Sequence, residues 1–405
     1  MNIPRRAQAA IERGLSEQPA VILTGPPRVG RSELAALIGS LGAESTHSFD
    51  AALDTDRDQL NSLLAGPPQG ATLVVIDQID QDALPTIDAL VRASARAGEC
   101  RFLLVPRRQS LVRTMRSALT GMTSEVELFP IQPDEELLAL DLQPDTIASL
   151  DELTSGPIVA LQWDMERRWL RGGLPQSLNG TGAQESLRWR LDYLRSVLLG
   201  DHSDWGISPE DRLDAVFARI ADHHGGQFKV DACASALGIK KPQVERALTA
   251  LTGMGLIRRL PNWAGGVDVV FIRDTGLHLA QCGIGDLARL RADRKRSGHS
   301  WEGFSTEALI HAAETADASF YRDAADNEID LILDFPHAGR RFAIEFKVGE
   351  GQQAEEGFWR AKREVAPTDT MIVHAGRIDF RDAAPPRLTL PTAIREVGSL
   401  VRHFK

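Results

Sequence analysis

Short, nearly continuous apolar runs alternate with stretches of helical period over the first part of the chain. Ala20–Thr24, Ala71–Ile76 and Arg101–Val105 read as strands, and Ser32–Ile38 and Asp82–Arg96 as helices. Strand and helix in alternation predict a parallel α/β sheet whose central strands are buried on both faces. The pattern then changes. Leu213–His223, Val230–Ala236 and Pro242–Thr252 carry apolar residues at helical spacing, Gly238 marks a turn, and Leu256–Leu260 reads as a short strand. That order predicts a winged helix-turn-helix. Upstream, Ile158–Arg171 reads as a helix closed by the turn Arg171–Pro175. Trp163, Trp169 and Trp189 fall among Leu161, Leu170 and Leu187 as core positions do. Strands return with Asp268–Arg273, Glu328–Leu333 and Arg341–Val348, and the helix Thr306–Ala313 precedes the last two. The expected organisation is an α/β domain over residues 1–155, a helical winged-helix middle over 156–265 and a second α/β domain over 266–405.

Chemistry enters at the end of the first strand. Gly25-Pro26-Pro27-Arg28-Val29-Gly30-Arg31-Ser32 follows Ala20–Thr24 and opens a helix. Strand, glycine loop and helix are the context of a phosphate-binding P-loop, in which backbone N–H groups and the helix N-terminus face the anion. Gly25, Pro26, Val29 and Gly30 build the loop, and Ser32 offers a hydroxyl to Mg²⁺. The usual lysine is replaced by Arg31, a longer planar cation. A second landmark is Leu73-Val74-Val75-Ile76-Asp77-Gln78. Asp77 ends a buried strand where ligands of parallel sheets bind, and is the candidate second Mg²⁺ residue. ATP and Mg²⁺ are the cofactors these residues suggest.

Composition narrows the class. The chain has 405 residues, 43% hydrophobic and 25% charged, with a formal net charge of -10. An acidic chain binds nucleic acid only through a local basic face. Lys240, Lys241 and Arg246, at the start and on one face of the third helix of the middle domain, are the candidates for such a face. A helix used only for packing is the alternative. Cys100, Cys233 and Cys282 show no metal or redox spacing, which fits a cytoplasmic setting. No apolar run suggests a membrane span.

The last third carries charges in apolar strands. Asp330 interrupts Glu328–Leu333. In Arg341–Val348, Ala343, Glu345 and Lys347 share one face, and Phe342, Ile344, Phe346 and Val348 the other. Charges so placed are costly unless paired or metal-bound. Two carboxylates on adjacent strands with a lysine form the arrangement of PD-(D/E)xK nucleases, in which the carboxylates hold Mg²⁺ and the lysine acts on the attacking water. Glu307, on the preceding helix, is expected to assist. A salt-bridged sheet edge is the bland alternative.

Taken together, Val21–Ser32, Leu73–Asp80, Arg171–Pro175, Arg273–Leu277, Asn327–Asp330 and Glu345–Lys347 resemble the prokaryotic AAA-type ATPases with a C-terminal restriction-endonuclease-like domain. The resemblance implies an AAA-like P-loop domain and a nuclease-like C-terminal domain, on either side of the winged-helix middle read from the pattern. It also exposes departures. Arg31 stands for the P-loop lysine, and Gln78 for the glutamate after the strand-end aspartate. Pro106-Arg107-Arg108 stands for a polar sensor, and Met122 for the arginine after Gly121. A neutral amide cannot take a proton from water, and losing a general base costs about 10²–10⁴-fold. Asp80 is a weaker candidate for the missing acid. The expectation is a nucleotide-binding protein with a degraded hydrolysis site, joined to a nuclease-like domain that acts on or senses nucleic acid. A non-catalytic interaction protein and an ATPase with an unusual site are the alternatives, and an oligomer is compatible with each.

Overall fold

The computed structural model describes residues 3–41, 45–65, 72–97, 100–140 and 165–402. They fall into two compact units, Met1–Ile131 and Gln132–Lys405. The expected boundary at 155 moves to 131 because the helix Pro133–Leu140 belongs to the second unit. There Asp134 lies 3.4 Å from His311, and Glu136 lies 3.2 Å from Arg168. Among the described residues no helix is long and apolar enough to cross a membrane.

The first unit runs α1 (Arg6–Glu17), β1 (Ala20–Thr24), α2 (Arg31–Leu41), β2 (Ser45–Asp50), α3 (Asp54–Ala65), β3 (Thr72–Ile79), α4 (Leu84–Ala97), β4 (Cys100–Pro106), α5 (Ser110–Ala118) and β5 (Thr123–Glu127). All neighbouring strands are parallel, in the order β2-β3-β4-β1-β5. The three central strands are the apolar runs seen in the sequence. The two edge strands, Ser-Thr-His-Ser-Phe-Asp and Thr-Ser-Glu-Val-Glu, bury only Phe49 and Val126. A half-covered edge strand has no continuous apolar run to betray it.

In the second unit, α6 (Pro133–Leu140) is followed by α7 (Met165–Arg171), α8 (Pro175–Leu178) and α9 (Ala183–Leu198). Residues 158–164 of the expected helix, with Leu161 and Trp163, lie outside the described residues. Trp169 is core and stands edge-on to buried Trp301. Trp189 is only half-buried, against Tyr193. Next come α10 (Leu213–Asp222), α11 (Val230–Leu237) and α12 (Lys241–Gly253), with an antiparallel ribbon of β6 (Ile257–Leu260) and β7 (Val269–Ile272). Gly238, at φ +65°, makes the left-handed turn that ends α11.

Two motifs that the sequence singled out turn out to be a packing lock. Asp274 caps α13 (Thr275–Gln281) by accepting the Leu277 N–H at 2.9 Å, and also accepts those of Gly173 and Leu174 at 2.7 and 3.2 Å. A Cβ at Gly276 would lie 2.1 Å from the Arg171 carbonyl oxygen, so only glycine fits. Buried Arg190 donates to the carbonyls of Leu170 and Gly276 at 2.8 and 2.7 Å, and burial lowers its pKa to about 10.

After α14 (Leu287–Ala292), α15 (Arg294–Ala313) is longer than the expected Thr306–Ala313. Asp293 caps it through the Arg296 N–H at 3.0 Å, so Arg294–Arg296 form its first turn. Then follow β8 (Asp317–Arg322), β9 (Glu328–Phe335), β10 (Arg340–Lys347), α16 (Glu356–Val365), β11 (Asp369–His374), β12 (Arg387–Thr389) and α17 (Leu390–Arg402). The sheet is mixed: β8, β9 and β10 pair antiparallel, while β10, β11 and β12 pair parallel. Phe342, Ile344 and Phe346 pack into the larger core with Phe304 and Val397, whereas Ala343 faces Phe358, Ala361 and Val365 of α16. The alternation read along β10 therefore holds in three dimensions.

Candidate functional site

A bulge positions the acidic residue of β9. Three steps along β9, Ile332 to Ile329, stand opposite two along β8, Ser319 to Tyr321. The extra residue falls at Asp330–Leu331, and such bulges re-aim a side chain at the cost of local pairing. The ladder to β10 ends at the pair Ile344–Leu331, and its register one step on sets Glu345 opposite Asp330. The Asp330 carboxylate accepts the Phe346 N–H at 2.7 Å. Lys347 Nζ donates to Glu345 at 2.9 Å and lies 3.6 Å from Glu355. Asp330, Glu345 and Lys347 thus meet at the floor of a cavity of about 690 Å³.

Glu307 is not part of this group. Its carboxylate is buried and taken by two arginines: Arg258 binds both oxygens, and Arg273 Nε donates at 3.2 Å. Those cations hold Glu307 below the usual carboxyl range despite burial. The acidic residue of α15 that does line the cavity is Glu302, with Glu328 of β9 beside it. Five residues turn a helix by about 140°, so Glu302 and Glu307 cannot face one site. Starting the helix at Thr306 hid the better candidate.

Burial, then the charges of Glu345, Glu302 and Glu328, pushes Asp330 well above its usual range. Burial, then Glu328 and Glu345, does the same to Glu302. Glu345 is also raised, by burial, with Lys347 opposing. Burial opposes the charge on Lys347, but Glu345 and Asp330 outweigh it and keep the ammonium charged. Among the described residues no three His, Cys, Asp or Glu side chains are grouped to hold a metal ion. Mg²⁺ needs less, since it is commonly held by one or two carboxylates with water and substrate phosphate completing the shell. Asp330 and Glu345, crowded by Glu302 and Glu328 with Lys347 beside them, fit that requirement.

A pH test follows. Raised carboxyl pKa values mean that these protons are bound more tightly in the folded state. Their stabilising effect is complete below the unfolded carboxyl range and is lost as pH rises through the folded values. A bound divalent cation replaces the protons. The rise in melting temperature on adding Mn²⁺ is therefore expected to be small near pH 5 and larger at pH 8. At about 100 times the dissociation constant the stabilisation amounts to about 2.7 kcal/mol. A shift independent of pH, read by scanning calorimetry, contradicts a carboxylate site.

In the first unit the loop has the expected strand-loop-helix form. Gly25 and Gly30 take φ of +137° and +102°, and a Cβ on Gly25 would sit 2.4 Å from the Leu128 carbonyl oxygen. Arg28, in the middle, is also left-handed at φ +59°. Pro26 and Val29 are buried. Arg5 braces the loop through the carbonyls of Val29 and Phe129, and the Gln109 amide donates to the Gly25 carbonyl. Arg31 Nη1 donates at 2.8 Å to the Pro106 carbonyl, at the end of β4. Met122 packs on the core, and its carbonyl accepts the Ala20 N–H at 3.1 Å. Asp80 does not replace the missing acid: it binds Arg57 and accepts the N–H groups of Asp82 and Ala83.

A side-chain amide stands between Ser32 and Asp77, the two residues expected to hold Mg²⁺. The Gln78 amide nitrogen lies 3.5 Å from Ser32 Oγ and 3.3 Å from Asp77 Oδ1. Asp77 Oδ1 also accepts the Gln78 backbone N–H at 2.7 Å. A nitrogen donor stands where a cation would join these two oxygens. As arranged, the residues do not fit Mg²⁺.

The expected basic face of α12 is mixed. Lys241 pairs with Asp231 at 2.6 Å, and Arg246 with the buried carboxylate of Asp211. Arg259 binds Asp268 at 2.9 Å and lies 3.7 Å from Glu245. Lys240 is exposed at the helix start, where its backbone N–H is capped by Gln243. Trp205 covers Gly253 so closely that a Cβ there would be 2.2 Å from the ring. Phosphate contacts from Lys241 or Arg246 would have to displace these carboxylates.

Fold and loop together define the class: a parallel α/β P-loop unit followed by a unit built on a mixed sheet. Residues 162–288 match a domain of unknown function (DUF8612), and residues 297–390 match another (DUF4143). Over 358 residues the chain is 28% identical to uncharacterized proteins of Mycobacterium tuberculosis and Mycobacterium bovis, covering 86% of this chain and 74% of each relative. Among solved structures it is similar to the Walker-type ATPase of Pyrococcus abyssi, at 14% identity and a TM-score of 0.45 over 68% of this chain and 94% of that one. It is also similar to the RuvB Holliday junction branch migration motor of Thermotoga maritima, at 17% identity and a TM-score of 0.30 over 64% and 90%.

Proposed function

We propose that the chain is an AAA-like nucleotide-binding protein with little or no ATP turnover, whose C-terminal unit is a nuclease-like domain that cleaves phosphodiester bonds in nucleic acid. The observation that carries the second half is the β9–β10 register that sets Asp330 opposite Glu345, with Lys347 held beside them. Asp330 and Glu345 would hold a divalent cation, which when bound supplies a polarised phosphate and an acidified water. Lys347, a charged ammonium, donates to the attacking water or a phosphate oxygen rather than taking a proton. Arg291 and Arg294 line the same cavity and suit a polyanionic substrate. The ribbon and helices of the middle are read as a winged helix used chiefly for packing.

The test is calorimetric titration of the intact protein with Mn²⁺, followed by a cleavage assay on single- and double-stranded DNA and RNA. Saturable binding with cation-dependent cleavage is expected. A protein that binds no Mn²⁺, with or without nucleic acid, is an inert nuclease-like scaffold, and the interaction-protein reading replaces this one. For the first unit, steady-state phosphate release from ATP is expected at background, because Arg31, Gln78 and Met122 supply neither the general base nor the mobile charge that phosphoryl transfer uses. Turnover that disappears in Asp77→Ala would establish a working ATPase.

A further inference from the structure

We infer that the P-loop binds nucleotide without Mg²⁺, the Gln78 amide and the arginines of the loop taking over the work of the cation. The inference rests on reading the loop as a nucleotide site. Its first support is the bridge described above. Gln78 is held at φ +53°, a left-handed conformation uncommon for a residue with a side chain. The turn brings its amide between Ser32 and Asp77. The carboxylate oxygen of Asp77, 3.3 Å away, sets the amide's direction: it needs a donor, so the NH₂ and not the carbonyl oxygen faces the gap. Mg²⁺ requires oxygen ligands at about 2.0–2.1 Å in octahedral array and tolerates no N–H donor in that shell.

The second support is charge. A bound nucleotide triphosphate needs its negative charge neutralised, commonly in part by the cation. Around this loop the chain places guanidinium groups instead. Arg28 is exposed at the loop's tip, and Arg31 opens α2. Arg5 would lie 3.9 Å from a Cβ on Gly30. Arginine keeps its charge at every working pH and pairs with phosphate through parallel N–H donors. The site therefore has fixed positive charge where an ordinary P-loop has one lysine and a metal.

The experiment is a fluorescence titration of the full chain with a fluorescent ATP analogue, in excess Mg²⁺ and in EDTA, with unlabelled ATP as competitor. An Asp330→Ala protein is run in parallel, so that a cation in the C-terminal unit does not enter the readout. Dissociation constants that agree within about twofold in the two conditions are expected, a difference of less than half a kilocalorie. Gln78→Glu is expected to weaken binding in EDTA by about tenfold and to recover in Mg²⁺, because a second carboxylate then faces Asp77 and the phosphates. Binding by the parent that is tenfold or more tighter in Mg²⁺ overturns metal independence and leaves the nucleotide site standing. Absence of binding in both conditions overturns the nucleotide reading, and this inference falls with it. The parent titrations decide the matter even if Gln78→Glu fails to fold.

Discussion

Asp330→Asn is expected to abolish Mn²⁺ binding and phosphodiester cleavage while making the metal-free protein more stable. The two effects have one cause. Asp330 sits among Glu345, Glu302 and Glu328, and burial and their charges push its pKa well up. Removing its charge relieves repulsion that Lys347 offsets only in part. Asparagine keeps an oxygen for the Phe346 N–H, so the local bulge survives. As a direct ligand, Asp330 should matter more than residues that only orient a ligand, whose loss costs about 10–100-fold in metal affinity. The readout is a melting curve in EDTA at pH 8 beside a Mn²⁺ titration. A variant that is less stable in EDTA and still binds Mn²⁺ would reduce Asp330 to a structural cap. Lys347→Ala separates the roles further: binding persists and cleavage falls, since the ammonium acts on water or phosphate and not on the ion.

Glu307→Ala is expected to do the reverse. It leaves Arg258 and Arg273 in a buried site without their carboxylate. Breaking a buried ion pair by removing one partner costs about 3–5 kcal/mol, because the remaining charge is desolvated and unpaired. At that size the melting temperature drops by roughly 10 °C. Mn²⁺ affinity of the folded fraction, measured well below the transition, should not change. Glu302→Gln supplies the contrast, altering the Mn²⁺ response with little loss of stability. A Glu307→Ala protein of normal stability that has lost its metal would return Glu307 to the catalytic site.

Helix α15 shows why the sequence pointed to Glu307 and not to the glutamate that lines the cavity. Its first turns carry Arg294, Lys295, Arg296, Ser297 and Gly298, which show no apolar period. The cap at Asp293 and burial of Trp301 and Phe304 make them helical, and that extension brings Glu302 to the cavity. Neither feature is periodic enough to be read without knowing what packs on the helix. Similarly, Lys240, Lys241 and Arg246 lie close together in the sequence, but Asp231 and Asp211, which pair with two of them, come from earlier elements.

The chain's own pattern determined what depends on local rules. The central strands β1, β3 and β4 are continuous apolar runs. The P-loop has its glycines where the backbone needs positive φ. Alternation along β10 put Glu345 and Lys347 on one face. Each follows from sterics or periodicity within a few residues. Tertiary structure alone decided which charges meet: the bulge that aims Asp330, the arginines that claim Glu307, and the amide of Gln78 between Ser32 and Asp77. Those outcomes depend on groups brought together from distant positions, where small differences in reach and desolvation choose the partner.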